Sequence, residues 1–251
     1  MHHGWSWVPT VVRPRPPVRR GRRTQAVVGA AVSALLAVAG TTGIALPPVD
    51  PEPLAPSTPA APYALLHVDQ FGHVARWDPC STIRVRVNHA DPRSPADAEA
   101  LVTGALLRLE VASGLHFELV GDTTYLPYAD TGVREPDADL VIAWTDAATV
   151  PALAEGVAGQ GGAVWSTTRS GSRIWRAHLV LDVGDGLAPG FARGRSVGTA
   201  LLHELGHAVG LTHVDDPRQV MAAGLGDASR PAFQAGDLAG LRRVGAAAGC
   251  F

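Results

Sequence analysis

The sequence predicts an α+β domain: a mixed five-stranded sheet with a long helix, an active-site helix and a C-terminal helix. Three observations lead there. Short stretches of alternating or continuous apolar residues recur from residue 83 to residue 183, interrupted by one stretch of helical periodicity. An apolar helical stretch then carries a dense cluster of histidines. A second, shorter helical stretch follows it.

The elements follow in chain order. Ile83–Val87 alternates apolar and basic residues, as a half-exposed strand does. Ser94 and Pro95 offer a cap and a first helical position, so a helix is expected from there. Leu101, Ala105, Leu106, Leu109 and Val111 form its apolar stripe, and Gly114 stops it. Leu115–Val120 reads as the second strand, residues 121–136 as loop and Leu140–Trp144 as the third strand. Gly161–Thr167 and His178–Val183 are the fourth and fifth, joined by a hairpin or short loop. A loop over 184–194 precedes a helix over 196–210. Its Leu201, Leu202, Leu205, Ala208 and Val209 cover much of the circumference and predict burial. The last helix spans about 237–247, with Leu238, Leu241 and Val244 inward.

The first 46 residues read as a leader outside the fold. Six arginines between Arg13 and Arg23 stand without a single acid, and an apolar run from Ala26 to Leu46 follows. Basic then apolar is the pattern of a secretory signal, with small residues at Ala39 and Ala45 for cleavage. The run is also long enough to span a bilayer, so a retained anchor fits equally. Both place the rest of the chain outside the membrane, secreted or anchored. Residues 47–76 begin Pro- and Ala-rich and read as an extended linker, leaving 77–251 as the domain. Beyond leader and linker, 14 arginines face 20 acids, a formal charge of −6. No basic footprint for nucleic acid is present, and a monomer is expected. Cys80 and Cys250 bracket the domain, and an isolated pair in an exported protein oxidises. Such a bridge would stabilise by about 4 kcal/mol through its long loop. The competing use of Cys80 is as a cap on a metal in a latent form.

The chemistry lies in His203-Glu204-Leu205-Gly206-His207-Ala208-Val209-Gly210-Leu211-Thr212-His213. Two histidines four apart project from one helix face and can share a metal ion. Glu204, beside the first, is placed to take a proton from a water rather than to bind the metal. Gly210 lets the helix end in a turn that brings His213 back as a third ligand. Three protein nitrogens with one position left open describe a catalytic zinc, not a closed structural one.

This motif resembles the zinc signature of the metzincins. Met221, eight residues after His213, resembles the matrixin interval to the Met-turn, and Gln234–Leu241 (QAGDLAGL) is similar to the start of the matrixins' final helix. The resemblance implies a metallopeptidase most like the short secreted bacterial members. It implies zinc on His203, His207 and His213, Glu204 as general base, and Met221 as an apolar floor. It also implies that the Gly161–Thr167 strand is the edge along which an extended peptide or protein substrate pairs.

The departures are specific. The cysteine-bearing propeptide motif is absent, and no histidine lies between Gly159 and Ala177 for a second zinc, so His178 reads as an ordinary strand residue. Ala222 stands where related metzincins carry a tyrosine after the Met-turn. Asp182 and Asp185 could contribute to a calcium site. His67, His73, His89 and His116 have no ligand spacing. Two other classes also fit: a zinc hydrolase acting on a non-peptide or cell-wall amide, and a catalytically silent surface binding module.

Overall fold

The computed structural model describes residues 2–5, 8–9, 61–129, 137–184 and 186–251. The leader's apolar run and the Pro-rich stretch before residue 61 lie outside the described residues. Within them, no helix is long and apolar enough to cross a membrane. Two short strands, β1 (His2–Trp5) and β2 (Val8–Pro9), come first, and β3 (Ala64–Leu65) opens the domain. Then come β4 (Thr82–Asn88), α1 (Ala98–Ser113), β5 (His116–Asp122), β6 (Leu140–Thr145), β7 (Gly159–Thr168) and β8 (Gly171–Asp182). The chain finishes with α2 (Val197–Ala208), β9 (Leu211–Thr212) and α3 (Ala235–Val244).

The sheet is mixed, as expected. Its order is β7-β8-β6-β4-β5, parallel except for β7, which runs antiparallel to β8. β1 and β2 pair antiparallel with the outer edge of β7, although the sequence reading leaves both outside the fold. Ile83, Val85, Ile142 and Leu179 share one core with Leu101, Leu106 and Leu109 of α1 and Leu201, Leu202 and Leu205 of α2. On the opposite face, Ala143 and Val180 pack with Val150, Leu153 and Val157. Both faces of β6 are therefore covered, which is why its six residues are all buried and do not alternate.

Three corrections to the sequence reading stand out. α1 begins at Ala98, not at Ser94-Pro95. Asp91 accepts from the Arg93 backbone and side chain, and Arg93 also bonds Asp146, so residues 91–94 are held as a turn. Val111 is 91% exposed rather than part of the stripe, because it falls about 200° around the helix from Leu109. Gly114 ends the helix as expected, at φ 70° with its N–H on the Glu110 carbonyl.

The linker is the third correction. Residues 61–76 are seated on the domain rather than spacing it. β3 pairs with β9, Leu66 N–H donates to Gly210 O at 2.8 Å, and Gln219 Nε2 donates to Pro62 O at 2.8 Å. The Trp77 indole then donates to Ala208 O at 2.9 Å, at the end of α2. The apolar YALLHV stretch (63–68) supplies the packing that the preceding Pro-rich composition does not suggest.

Cys80 and Cys250 form a disulfide across 170 residues of chain, so Cys80 is not a metal cap. Replacing both cysteines by serine should destabilise by about 4 kcal/mol, through the entropy returned to the unfolded chain. Equilibrium denaturation reads this as a lower midpoint, and an unchanged midpoint would show that packing alone holds the two ends.

Candidate metal centre

The site is built on α2. Ser196 caps the helix, its Oγ accepting from the Thr199 N–H, and every residue from Gly198 to Ala208 is buried. A helix enclosed on all sides tolerates polar groups only where they are satisfied. His203 and His207 meet this condition through one nitrogen each. His203 Nδ1 donates to Val220 O at 2.6 Å and His207 Nδ1 donates to Leu211 O at 3.0 Å. A carbonyl can only accept, so both Nδ1 atoms carry the proton and both Nε2 atoms present lone pairs.

Those lone pairs converge. Gly210, at φ +108°, turns the chain out of α2, and a Cβ there would stand 2.7 Å from Ala75 O. The turn returns His213 to the helix. The three Nε2 atoms then lie 3.1 Å (203–207), 3.0 Å (207–213) and 3.2 Å (203–213) apart. A zinc ion held tetrahedrally at its usual nitrogen distance would separate its ligands by about 3.3 Å. Burial, reinforced by the neighbouring imidazoles, pushes His203 down to about 4 and His207 well below the ordinary histidine value. Burial lowers half-buried His213 as well. The three imidazoles are therefore uncharged near neutrality, and the residues fit a metal ion.

Glu204 is buried beside the triad, pressed under β7. A Cβ at Gly159 would stand 3.0 Å from Glu204 Oε1, and one at Gly161 would stand 2.8 Å from both Glu204 O and Oε2. Two glycines thus let the strand approach the helix closely enough to lie over the carboxylate. Met221 is 2% exposed, and a side chain at Gly206 would collide with its sulfur. Met221 thus lies against α2 at Gly206, one residue before His207.

The sequence reading missed Asp237. Its buried carboxylate accepts from Val220 N (2.9 Å), Met221 N (3.1 Å) and Gln234 N (2.8 Å). Burial raises its pKa against the lowering effect of these donors. Asp237 thereby fixes the Val220 peptide whose carbonyl orients His203, an outer-shell tie of the kind that sets a ligand's ring. The signal was present: Gln234 and Asp237 form a capping box, so α3 starts at Ala235, not Asp237.

The remaining candidates fall elsewhere. His178 lies apart from the triad, its ring 5.7 Å from that of Tyr125, and burial pushes it down to about 4. Asp182 accepts from Gly184 N at 2.9 Å but joins no group of three potential ligands among the described residues. Asp185 lies outside the described residues, and calcium has no support here. His67 stacks 5.0 Å from the Trp165 ring, and His73 bonds Asp69.

A sequence model of the matrixins, peptidase family M10, matches residues 82–244, about two thirds of the chain. No curated protein matches. Among solved structures, metalloproteinase-II from Bacteroides fragilis aligns at 13% identity with a TM-score of 0.43. That alignment covers 74% of this chain and 58% of the other, so this chain spans less than two thirds of its length.

Two outcomes are expected. Gly161→Ala should cost about 1–3 kcal/mol by overpacking, because the Glu204 carbonyl cannot swing away. A thermal midpoint equal to wild type would show that β7 and α2 have slack. Metal-stripped protein should be stable above about pH 6.5 and lose stability as the pH falls from there toward 4. Imidazoles of the unfolded chain take up protons that the buried ones refuse. Thermal midpoints of chelator-treated protein across that interval check the sign, and a flat profile would contradict it.

Proposed function

Since the chain belongs to the matrixin family of metallopeptidases, we propose that it is a zinc-dependent endopeptidase. The observation that carries the proposal is the meeting of three Nε2 atoms within 3.2 Å, beside a buried glutamate. His203, His207 and His213 would hold the metal, with two Nδ1–H donors keeping the rings aligned. Zinc, when bound, supplies Lewis acidity to the scissile carbonyl and lowers the pKa of water at its open position.

Glu204 is the general base of the proposed reaction. Its carboxylate accepts a proton from the attacking water and passes it to the nitrogen of the leaving amine. Attack by water needs no acyl-enzyme, and no serine or cysteine nucleophile is called for. Met221 and the turn before it support the ligands from below without contributing one. An extended substrate would pair with the outer edge of β7, where main-chain hydrogen bonds give affinity. The antiparallel seating of β1 and β2 on that edge supports this reading, and a substrate would take their place.

The arginine-rich start, the apolar run and the Cys80–Cys250 bridge support export of the domain. Family membership favours a peptide bond over a non-peptide amide. The intact triad and Glu204 speak against a silent binding module.

Glu204→Ala is expected to keep its zinc and lose casein hydrolysis by about 10²-fold or more, the scale of general-base catalysis. Undiminished hydrolysis would remove Glu204 from the mechanism. His213→Ala should lower zinc occupancy by metal analysis, and a fully loaded variant would remove His213 from the ligand set. Hydrolysis of purified cell wall but not casein, abolished by a chelator, would transfer the same chemistry to a different bond.

A further inference from the structure

The domain carries more acids than arginines, yet two arginines face one small cavity on the side of the disulfide. The cavity has a volume of about 190 Å³ and lies between residues 72–76, the β7–β8 turn and the end of the chain. Arg76 and Arg243 both line it, together with Ser170 and Ser172. Arg76 is half-buried, and its guanidinium is stacked 4.1 Å from the centre of the Phe251 ring. That ring is itself held in place: Cys250 beside it is bridged to Cys80, and a Cβ at Gly171 would stand 3.0 Å from it. Stacking leaves the guanidinium edge for polar partners, of which Trp77 O, at 3.3 Å, is one.

Arg243 projects from the last turn of α3. Among the described residues, neither Arg76 nor Arg243 is joined to a carboxylate by an ion pair. The acid nearest in effect, Asp78, is already paired with Arg173 at 3.7 Å. Burial and the like charge of Arg243 together lower the pKa of Arg76, only partly offset by Asp78. Two like charges directed into a polar cavity repel one another unless an anion lies between them.

We propose that this cavity binds a tetrahedral oxyanion, phosphate or sulfate, either as the free ion or as an ester group on a larger molecule. Two guanidinium groups brought to one cavity from different elements match an anion that accepts on several oxygens. The inference is independent of the peptidase reading, because no residue of the triad or of β7's outer edge takes part.

Calorimetric titration of the full chain with inorganic phosphate and inorganic sulfate tests it, with chloride holding ionic strength constant. Saturable binding is expected, weakened about tenfold or more in Arg243→Gln, with Arg243→Lys intermediate because it keeps the charge and loses the fork. Arg243 is exposed and makes no ion pair among the described residues, so its variants should match wild type in thermal midpoint and in casein hydrolysis. Dextran sulfate forms the second arm: binding that inorganic sulfate displaces assigns the cavity to a polymer-borne group, and binding of the inorganic ions alone assigns it to the free ion. Equal binding by wild type and Arg243→Gln, or no binding beyond that of chloride, overturns the proposal.

Discussion

Three imidazole Nε2 atoms meet within about 3 Å of one another, two of them fixed as lone pairs, and a cation among them relieves their repulsion. Most of this structure serves to impose that condition. Two of the three rings stand on a helix with no exposed face, so water cannot relax them. Their far nitrogens are bound to carbonyls, so neither ring can flip to offer a proton instead. The third ring arrives on a chain reversed at Gly210, where the Ala75 carbonyl leaves no room for a side chain. Repulsion, burial and fixed tautomers act in the same direction, and all three are relieved by one metal ion.

The same economy of space governs the approach of the sheet. β7 is the antiparallel strand of an otherwise parallel sheet, and its glycines allow its backbone to press on α2 at Glu204. A larger residue at either position would push the carboxylate away from the triad or lift the strand off the helix. The strand edge proposed to take substrate and the glutamate proposed to act on it are therefore set against each other by the absence of two methyl groups. Specific chemistry here depends on close packing as much as on the reactive groups themselves.

Local spacing was legible in the sequence, and distant pairing was not. Histidines at four- and six-residue intervals around a glycine dictate a shared face and a return, whatever lies elsewhere. The sheet and its strand sequence followed from periodicity, since burial leaves its pattern on every strand. The seat of residues 61–76 was missed because it rests on backbone hydrogen bonds to Gly210 and β9, about 145 residues away, and these leave no side-chain signature. The start of α1 was misplaced because Asp91 and Arg93 form a turn that competes with a capping serine. Asp237 could be read as part of a helix start, but not as the group that bonds the peptide behind His203. Its carboxylate acts across 17 residues on a backbone whose position only the folded chain defines.

The tie from Asp237 to Val220 has a consequence for the order of events during synthesis. All three histidines leave the ribosome before Asp237 does, and α2 can form as soon as they emerge. Yet the Val220–Met221 peptide, whose carbonyl sets His203, is tied to Asp237 only when α3 has formed and docked. The nascent chain thus carries its reactive motif early and its means of ordering that motif late. The backbone behind His203 is therefore ordered late, by α3.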